Sequence, residues 1–126
     1  MTLVIDTDIF IDFLRGVKAS RDFIRGQLAS GEVTAFSAIT ETELISGKVC
    51  EDREKREEIL DILSLHTKVI VDNSIALLAG DLRRVHGLSV TDAIIAATAI
   101  QTKSKLATRN IKDFERIEGA DILKPY

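Results

Sequence analysis

The chain has 126 residues, with 20 acidic against 17 basic side chains, a net charge of −3 and a single cysteine. That length predicts one domain over residues 1–126, able to bury a core without disulfides, and Cys50, alone among polar residues, excludes an internal disulfide or a Cys/His zinc cluster. The mild acidity is no electrostatic footprint for nucleic acid, no apolar run reaches the length of a membrane span, and the lack of a basic leader predicts a cytoplasmic protein.

Residues 2–6 read as a buried strand, an apolar run that ends abruptly on Asp6-Thr7-Asp8. Residues 9–15 read as a helix with Asp8 or Thr7 near its N-cap and Gly16 as its stop. A second helix over 19–30 carries Phe23, Ile24 and Leu28 on one face and stops at Gly31. The second strand covers 33–36, after which Ser37 and Thr40 offer caps for a helix through Ile45, ended by Gly47. The charged stretch 51–65 reads as a solvated helix whose apolar positions are Ile59, Leu60, Ile62, Leu63 and Leu65. The third strand covers 68–71, a helix covers 74–86 and stops at Gly87, and Thr91-Asp92 caps an Ala/Ile-rich helix to about residue 102. A fourth strand covers 106–108, residues 110–114 form a single helical turn, and Ile122-Leu123 form a last edge strand. Strands alternating with helices predict an α/β chain in which right-handed crossovers build a parallel sheet of four to five strands, covered on both faces.

In such a sheet ligands sit beyond the carboxyl ends of the strands. Four acids fall at those places: Asp6 ends the first strand, Glu43 lies in the helix after the second, Asp92 opens the Ala/Ile helix and Asp113 follows the fourth strand. Carboxylates that share a small volume raise one another's pKa and stay ionised only around a cation. With no Cys or His among them they select a hard ion, Mg²⁺ or Mn²⁺, and such an ion suits hydrolysis of a phosphodiester. Asp6, Glu43, Asp92 and Asp113 are therefore the candidate catalytic and metal-binding residues. Each also has a plain structural reading. Asp6 opens a turn, Asp8 caps the first helix, Glu43 completes a capping box with Thr40, Asp92 caps with Thr91, and Asp113 is a solvated surface acid. The joint placement of the four is what favours a site.

These stretches resemble PIN-domain ribonucleases, in particular VapC-type toxins of toxin–antitoxin pairs. Val4-Ile5-Asp6-Thr7-Asp8-Ile9-Phe10-Ile11-Asp12 is similar to the opening of that family, and Ser37-Ala38-Ile39-Thr40-Glu41-Thr42-Glu43-Leu44 to its second motif. Thr91-Asp92-Ala93-Ile94-Ile95-Ala96-Ala97-Thr98-Ala99 is similar to the third, and Leu106-Ala107-Thr108-Arg109-Asn110-Ile111-Lys112-Asp113-Phe114 to the fourth. Two positions depart from the pattern: Val90 stands where many relatives carry an extra acid, and Asp8 where Ser or Asn is common.

The resemblance implies a three-layer α/β/α sandwich and a Mg²⁺- or Mn²⁺-dependent endoribonuclease. It implies that Asp6, Glu43 (rather than Glu41), Asp92 and Asp113 hold the metal directly or through water. Thr7, Thr108 and Asn110 would orient the carboxylates by hydrogen bonds, with Asp8 at the outer edge of the site. It further implies a homodimer and an antitoxin lying over the acids with a basic residue. Arg15, Arg109 and Lys112, among other cations, are then candidates for contact with RNA phosphates. Two rival readings use the same acids differently. In a haloacid-dehalogenase-like phosphatase Asp6 attacks phosphorus beside Asp8; in a receiver-like domain Asp72 accepts a phosphoryl group. The first lacks a convincing later Lys with a paired acid, and the second a Lys at the end of its last strand. A PIN fold kept only for partner binding has no reason to retain all four acids.

Overall fold

The computed structural model describes residues 2–126. Five short strands stand side by side in one sheet: β1 (Leu3–Ile5), β2 (Thr34–Ser37), β3 (Thr67–Val69), β4 (Lys105–Ala107) and β5 (Asp121–Leu123), in the order β3-β2-β1-β4-β5. Every neighbouring pair is parallel, and Val4 of β1 lies between Ala35 of β2 and Leu106 of β4. The central strand Leu3-Val4-Ile5 is wholly buried, as a strand covered on both faces requires. The edge strand β3 instead exposes Thr67 and Lys68, polar residues that discourage pairing with another sheet.

Side chains alternate across the sheet, so β1 feeds two cores. Leu3 and Ile5 join Ile9, Phe10, Phe13, Ile24, Phe36, Leu44, Ile59 and Leu63 beneath α1 (Thr7–Leu14), α2 (Lys18–Ala29), α3 (Ala38–Ser46) and α4 (Arg53–Ser64). Val4 joins Ala35, Leu106 and the Ala/Ile face of α6 (Val90–Gln101), with Ile75, Ala79 and Leu82 of α5 (Asn73–His86) and Phe114 of the short α7 (Ile111–Phe114). The result is three layers. The charged stretch begins with a 3-10 turn, Lys48–Glu51, before α4, which buries Ile59 and Leu63; Leu65, beyond the helix end, is exposed.

From β1 the chain crosses to β2 and β3 on one side, then returns to β4 and β5 on the other. The connections diverge between β1 and β4, the place where such sheets open a crevice at their carboxyl ends. Asp6 leaves one of those ends and Thr108 the other.

Two helix starts, those of α1 and α6, differ from the sequence reading, and at α3 the choice it leaves between Ser37 and Thr40 falls on Ser37. Asp6, not Thr7 or Asp8, is the N-cap of α1: its Oδ1 accepts from Thr7 N at 2.7 Å. Ser37 caps α3 by accepting from Ile39 N, so Thr40 lies inside the helix, fully buried, and makes no capping box with Glu43. Ser89 caps α6 by accepting from Asp92 N at 3.1 Å, which places Thr91 and Asp92 in the first turn. In each case several capping residues crowd together, and the one nearest the turn of the backbone takes the role. Asp72 is likewise a cap, accepting from Ile75 N, and this accounts for it without a phosphoryl group. Gly87 ends α5 at φ +68°, a conformation glycine adopts without strain.

His66 stitches β3 to the first core. Its ring stands edge-on to Phe10 at 5.4 Å between centroids, and its Nδ1 lies 2.6 Å from Thr34 Oγ1. Burial pushes the imidazole down to about 4. The unfolded chain therefore binds one more proton than the folded one between about pH 6.5 and 4, and stability supplied by the neutral ring is full above that window and lost as pH falls through it. Urea unfolding at about pH 7 and pH 5.5 checks this: His66→Gln removes a loss on acidification, so the change in its midpoint from about pH 7 to pH 5.5 is expected to be more favourable than the wild type's.

Candidate active site

The site is built around Asp6, which is 5% exposed. The strand-to-helix turn at the end of β1 aims its carboxyl at the end of β4, where Thr108 Oγ1 donates to Asp6 Oδ2 at 2.7 Å while Thr7 N holds Oδ1. Thr108 Oγ1 in turn accepts from Asn110 N at 2.9 Å, and Asn110 Nδ2 donates to Asp113 Oδ2 at 2.7 Å. One run of hydrogen bonds thus joins the first and fourth motifs across more than a hundred residues.

Glu43 arrives by a second route. Thr7 Oγ1 lies 2.7 Å from Glu43 Oε1 and 2.9 Å from Thr40 Oγ1. A hydroxyl carries one proton, so Thr7 donates to the Glu43 carboxylate and accepts from Thr40. Thr40 therefore holds Thr7, and Thr7 holds Glu43. The sequence reading gave Thr40 only a capping role; the signal for the other one was its place three residues before Glu43, on the same helical face.

The electrostatics tie the remaining acids together. The Asp6 carboxyl is pushed up to about 7, first by burial and then by the charges of Asp8 and Asp92, against the hydrogen bonds from Thr108 and Thr7. Half-buried Asp92 is raised by burial and by Asp113, against its bond with Ser89. Asp92 is thus within the field of Asp113, and Asp6 within that of Asp92. No Lys or Arg pairs with any of Asp6, Glu43, Asp92 or Asp113 among the described residues, which removes the lysine that a phosphatase built on Asp6 needs.

The other candidates divide. Asp8 is not a cap: its Oδ2 accepts from Arg109 N at 3.3 Å and its buried Oδ1 has no partner. Burial raises its pKa, and Arg109 opposes the rise. Arg109 itself is paired with Asp12, 2.8 Å away. Lys112 is exposed on α7. Arg15 lines a groove of about 330 Å³ between α1 and α3 together with Ile11, Leu14, Leu44 and Val49, with Glu43 and Lys48 among its polar lining.

These residues fit a hard divalent cation. The donors are all oxygen, they repel one another, and a buried carboxylate oxygen of Asp8 stands without a partner. Among the described residues no three acid, His or Cys side chains already stand close enough to grip an ion. Mg²⁺ does not require such a cage, because it is commonly held by one or two carboxylates with its remaining positions on water.

Comparison with known proteins gives three findings. A model of the PIN domain matches residues 3–120. The chain is similar to two ribonucleases of Mycobacterium tuberculosis: it is 34% identical to VapC10 over 98% of this chain and 91% of that one, and 32% identical to VapC19 over 98% of each. A toxin–antitoxin complex from Klebsiella pneumoniae superposes with a TM-score of 0.81 at 30% identity, covering 98% of both chains.

Two outcomes follow from the geometry. Asp6, raised to about 7, contributes stability that is full below about pH 4 and lost as pH rises through 7. Asp6→Asn is expected to melt a few degrees higher than wild type at about pH 8 in EDTA; added Mn²⁺ is expected to raise the melting temperature of the wild type and not that of Asp6→Asn. Thr40→Val keeps the shape but removes the donor to Thr7; it is expected to cost about 1–2 kcal/mol in urea unfolding.

Proposed function

This chain belongs to the PIN-domain family, and on that footing we propose that it is a divalent-metal-dependent endoribonuclease, the toxin of a toxin–antitoxin pair. The observation that carries the reading is the buried Asp6 carboxyl, pressed by the charges of Asp8 and Asp92 and paired with no Lys or Arg among the described residues, set where the sheet's connections diverge. Asp6, Glu43, Asp92 and Asp113 would hold the ion, Mg²⁺ or Mn²⁺, directly or through water. An ion so held supplies positive charge for the scissile phosphate and a water acidified enough to act as nucleophile. The chain's own residues do the rest. Thr108 and Thr7 fix both oxygens of Asp6, Thr7 fixes Glu43, and Asn110 fixes Asp113, so the donors are held before substrate arrives. The packed core behind Asp6 keeps water to the open side.

The relatives also support an antitoxin partner. The groove between α1 and α3 takes an apolar segment and ends at Glu43, so a basic side chain at the end of that segment would reach acids that have no cation of their own. Leu77 and Val85 on α5 and Val90 opening α6 expose apolar side chains that a second copy of the chain would cover. No helix among the described residues is long and apolar enough to cross a membrane; the unpaired Cys50 suits the cytoplasm.

The reading is tested by RNA cleavage with Mg²⁺ or Mn²⁺, with EDTA, and with Asp92→Asn. EDTA is expected to abolish cleavage, and Asp92→Asn to lower kcat by roughly a hundredfold. Equal cleavage under all three conditions sinks the proposal, as does a wild type that releases phosphate from small esters but cuts no RNA.

A further inference from the structure

Beside the acids of the candidate site stands a charged cluster centred on Arg109 and Asp12, neither of which is among the candidate metal ligands. Helix α1 carries Asp8 and Asp12 one turn apart, and Arg109, leaving β4, lies across both. Its Nε stands 2.8 Å from Asp12 Oδ2 and 3.9 Å from Asp8 Oδ2. From the other end of the chain Tyr126 Oη donates to the same Asp12 oxygen at 2.6 Å, with its ring edge-on to Phe23. The phenol is pushed up to about 12, first by burial and then by its bond to Asp12, so it remains a donor throughout the working range of pH.

Stability does not explain this arrangement. Asp12 is 7% exposed on a helix that otherwise buries Ile9, Phe10 and Phe13. Asp12 gives up its water for one ion pair with a guanidinium that stays half exposed, a pairing that adds little to stability. What the pair does accomplish is to fix a guanidinium. The Arg109 side chain is 46% exposed, its Nε is engaged, and Nη1 and Nη2 have no hydrogen-bond partner among the described residues. The residue before it, Thr108, is bonded to Asp6. A half-exposed, pre-oriented fork next to the cleavage site matches the geometry of a phosphate diester.

We propose that Arg109 binds a backbone phosphate of the RNA substrate, and that Asp12 and Tyr126 are positioning residues that hold its guanidinium for that contact. The proposal rests on the ribonuclease reading above.

The experiment is steady-state cleavage of a single-stranded RNA at several salt concentrations by wild type, Arg109→Ala, Asp12→Leu, the double variant and Tyr126→Phe. Arg109→Ala and Asp12→Leu are each expected to raise KM roughly tenfold with kcat little changed, the pattern of lost substrate binding. Each is expected to reduce the slope of log KM against log salt by about 0.7, the signature of one lost phosphate contact on a single strand. The double variant matches Arg109→Ala, because Asp12 acts only through Arg109. Tyr126→Phe shifts KM the same way by less, and it decides the matter should Asp12→Leu fail to fold. Unchanged KM and salt slope in a cleaving enzyme overturn this proposal alone, as do additive losses in the double variant or a fall in kcat without a rise in KM. A wild type that cuts no RNA overturns the ribonuclease reading and this proposal with it.

Discussion

The carboxyl of Asp6 joins three elements that sequence keeps far apart. Its backbone ends β1, its Oδ1 caps α1 and its Oδ2 receives the Thr108 hydroxyl from the end of β4. Two good hydrogen bonds would normally keep a carboxyl acidic. Here burial and the charges of Asp8 and Asp92 outweigh them. The protein therefore holds a charged group where its own folding disfavours charge. A fold that tolerates such a cost at the mouth of its sheet departs from local consistency there, which is the mark of a candidate functional site.

Around that centre the polar side chains work in relays. Thr40 reaches Glu43 only through Thr7, and Thr108 reaches Asp113 only through Asn110. A relay of short side chains anchored in helix and strand ends has few rotamers to lose, so the donors stay in place without much ordering when an ion or a substrate binds. The Arg109–Asp12–Tyr126 cluster follows the same logic with opposite charge. It brings a cation to the rim of an acidic cleft and pins it to α1, the helix that Asp6 starts. Asp6 and the guanidinium of Arg109 are thus both tied to α1, one rigid unit.

The layers beneath explain why this unit is rigid. Ile9, Phe10 and Phe13 of α1 are buried against β1, β2, α2 and α4. On the other face the small side chains of α6, Ala93, Ala96, Ala97 and Ala99, let that helix lie close to the sheet. That close packing carries Asp92, in the first turn of α6, to within electrostatic reach of Asp6.

Much of this was legible in the residues alone. Alternating apolar runs and helical spacings determined the α/β order, because burial on two faces of a parallel sheet leaves few other ways to place Leu3-Val4-Ile5 or the Ala/Ile helix. Glycines at the helix ends fixed where elements stop, since Gly87 adopts its left-handed turn whatever surrounds it. Four acids at strand ends and helix starts point to a candidate site through the topology they imply. Which polar side chain does what was decided only by the tertiary structure. Asp6, Thr7 and Asp8 are equivalent as caps to a local reading, and the choice falls on Asp6 where the chain turns out of β1, its other oxygen meeting Thr108, one hundred and two residues away. Thr40 looks like a cap until Thr7 is brought to it, and Asp12 looks like a misplaced acid on an apolar helix until Arg109 and Tyr126 close over it. Backbone propensities act within a few residues, whereas a hydrogen bond or an ion pair depends on which partner the folded chain brings near.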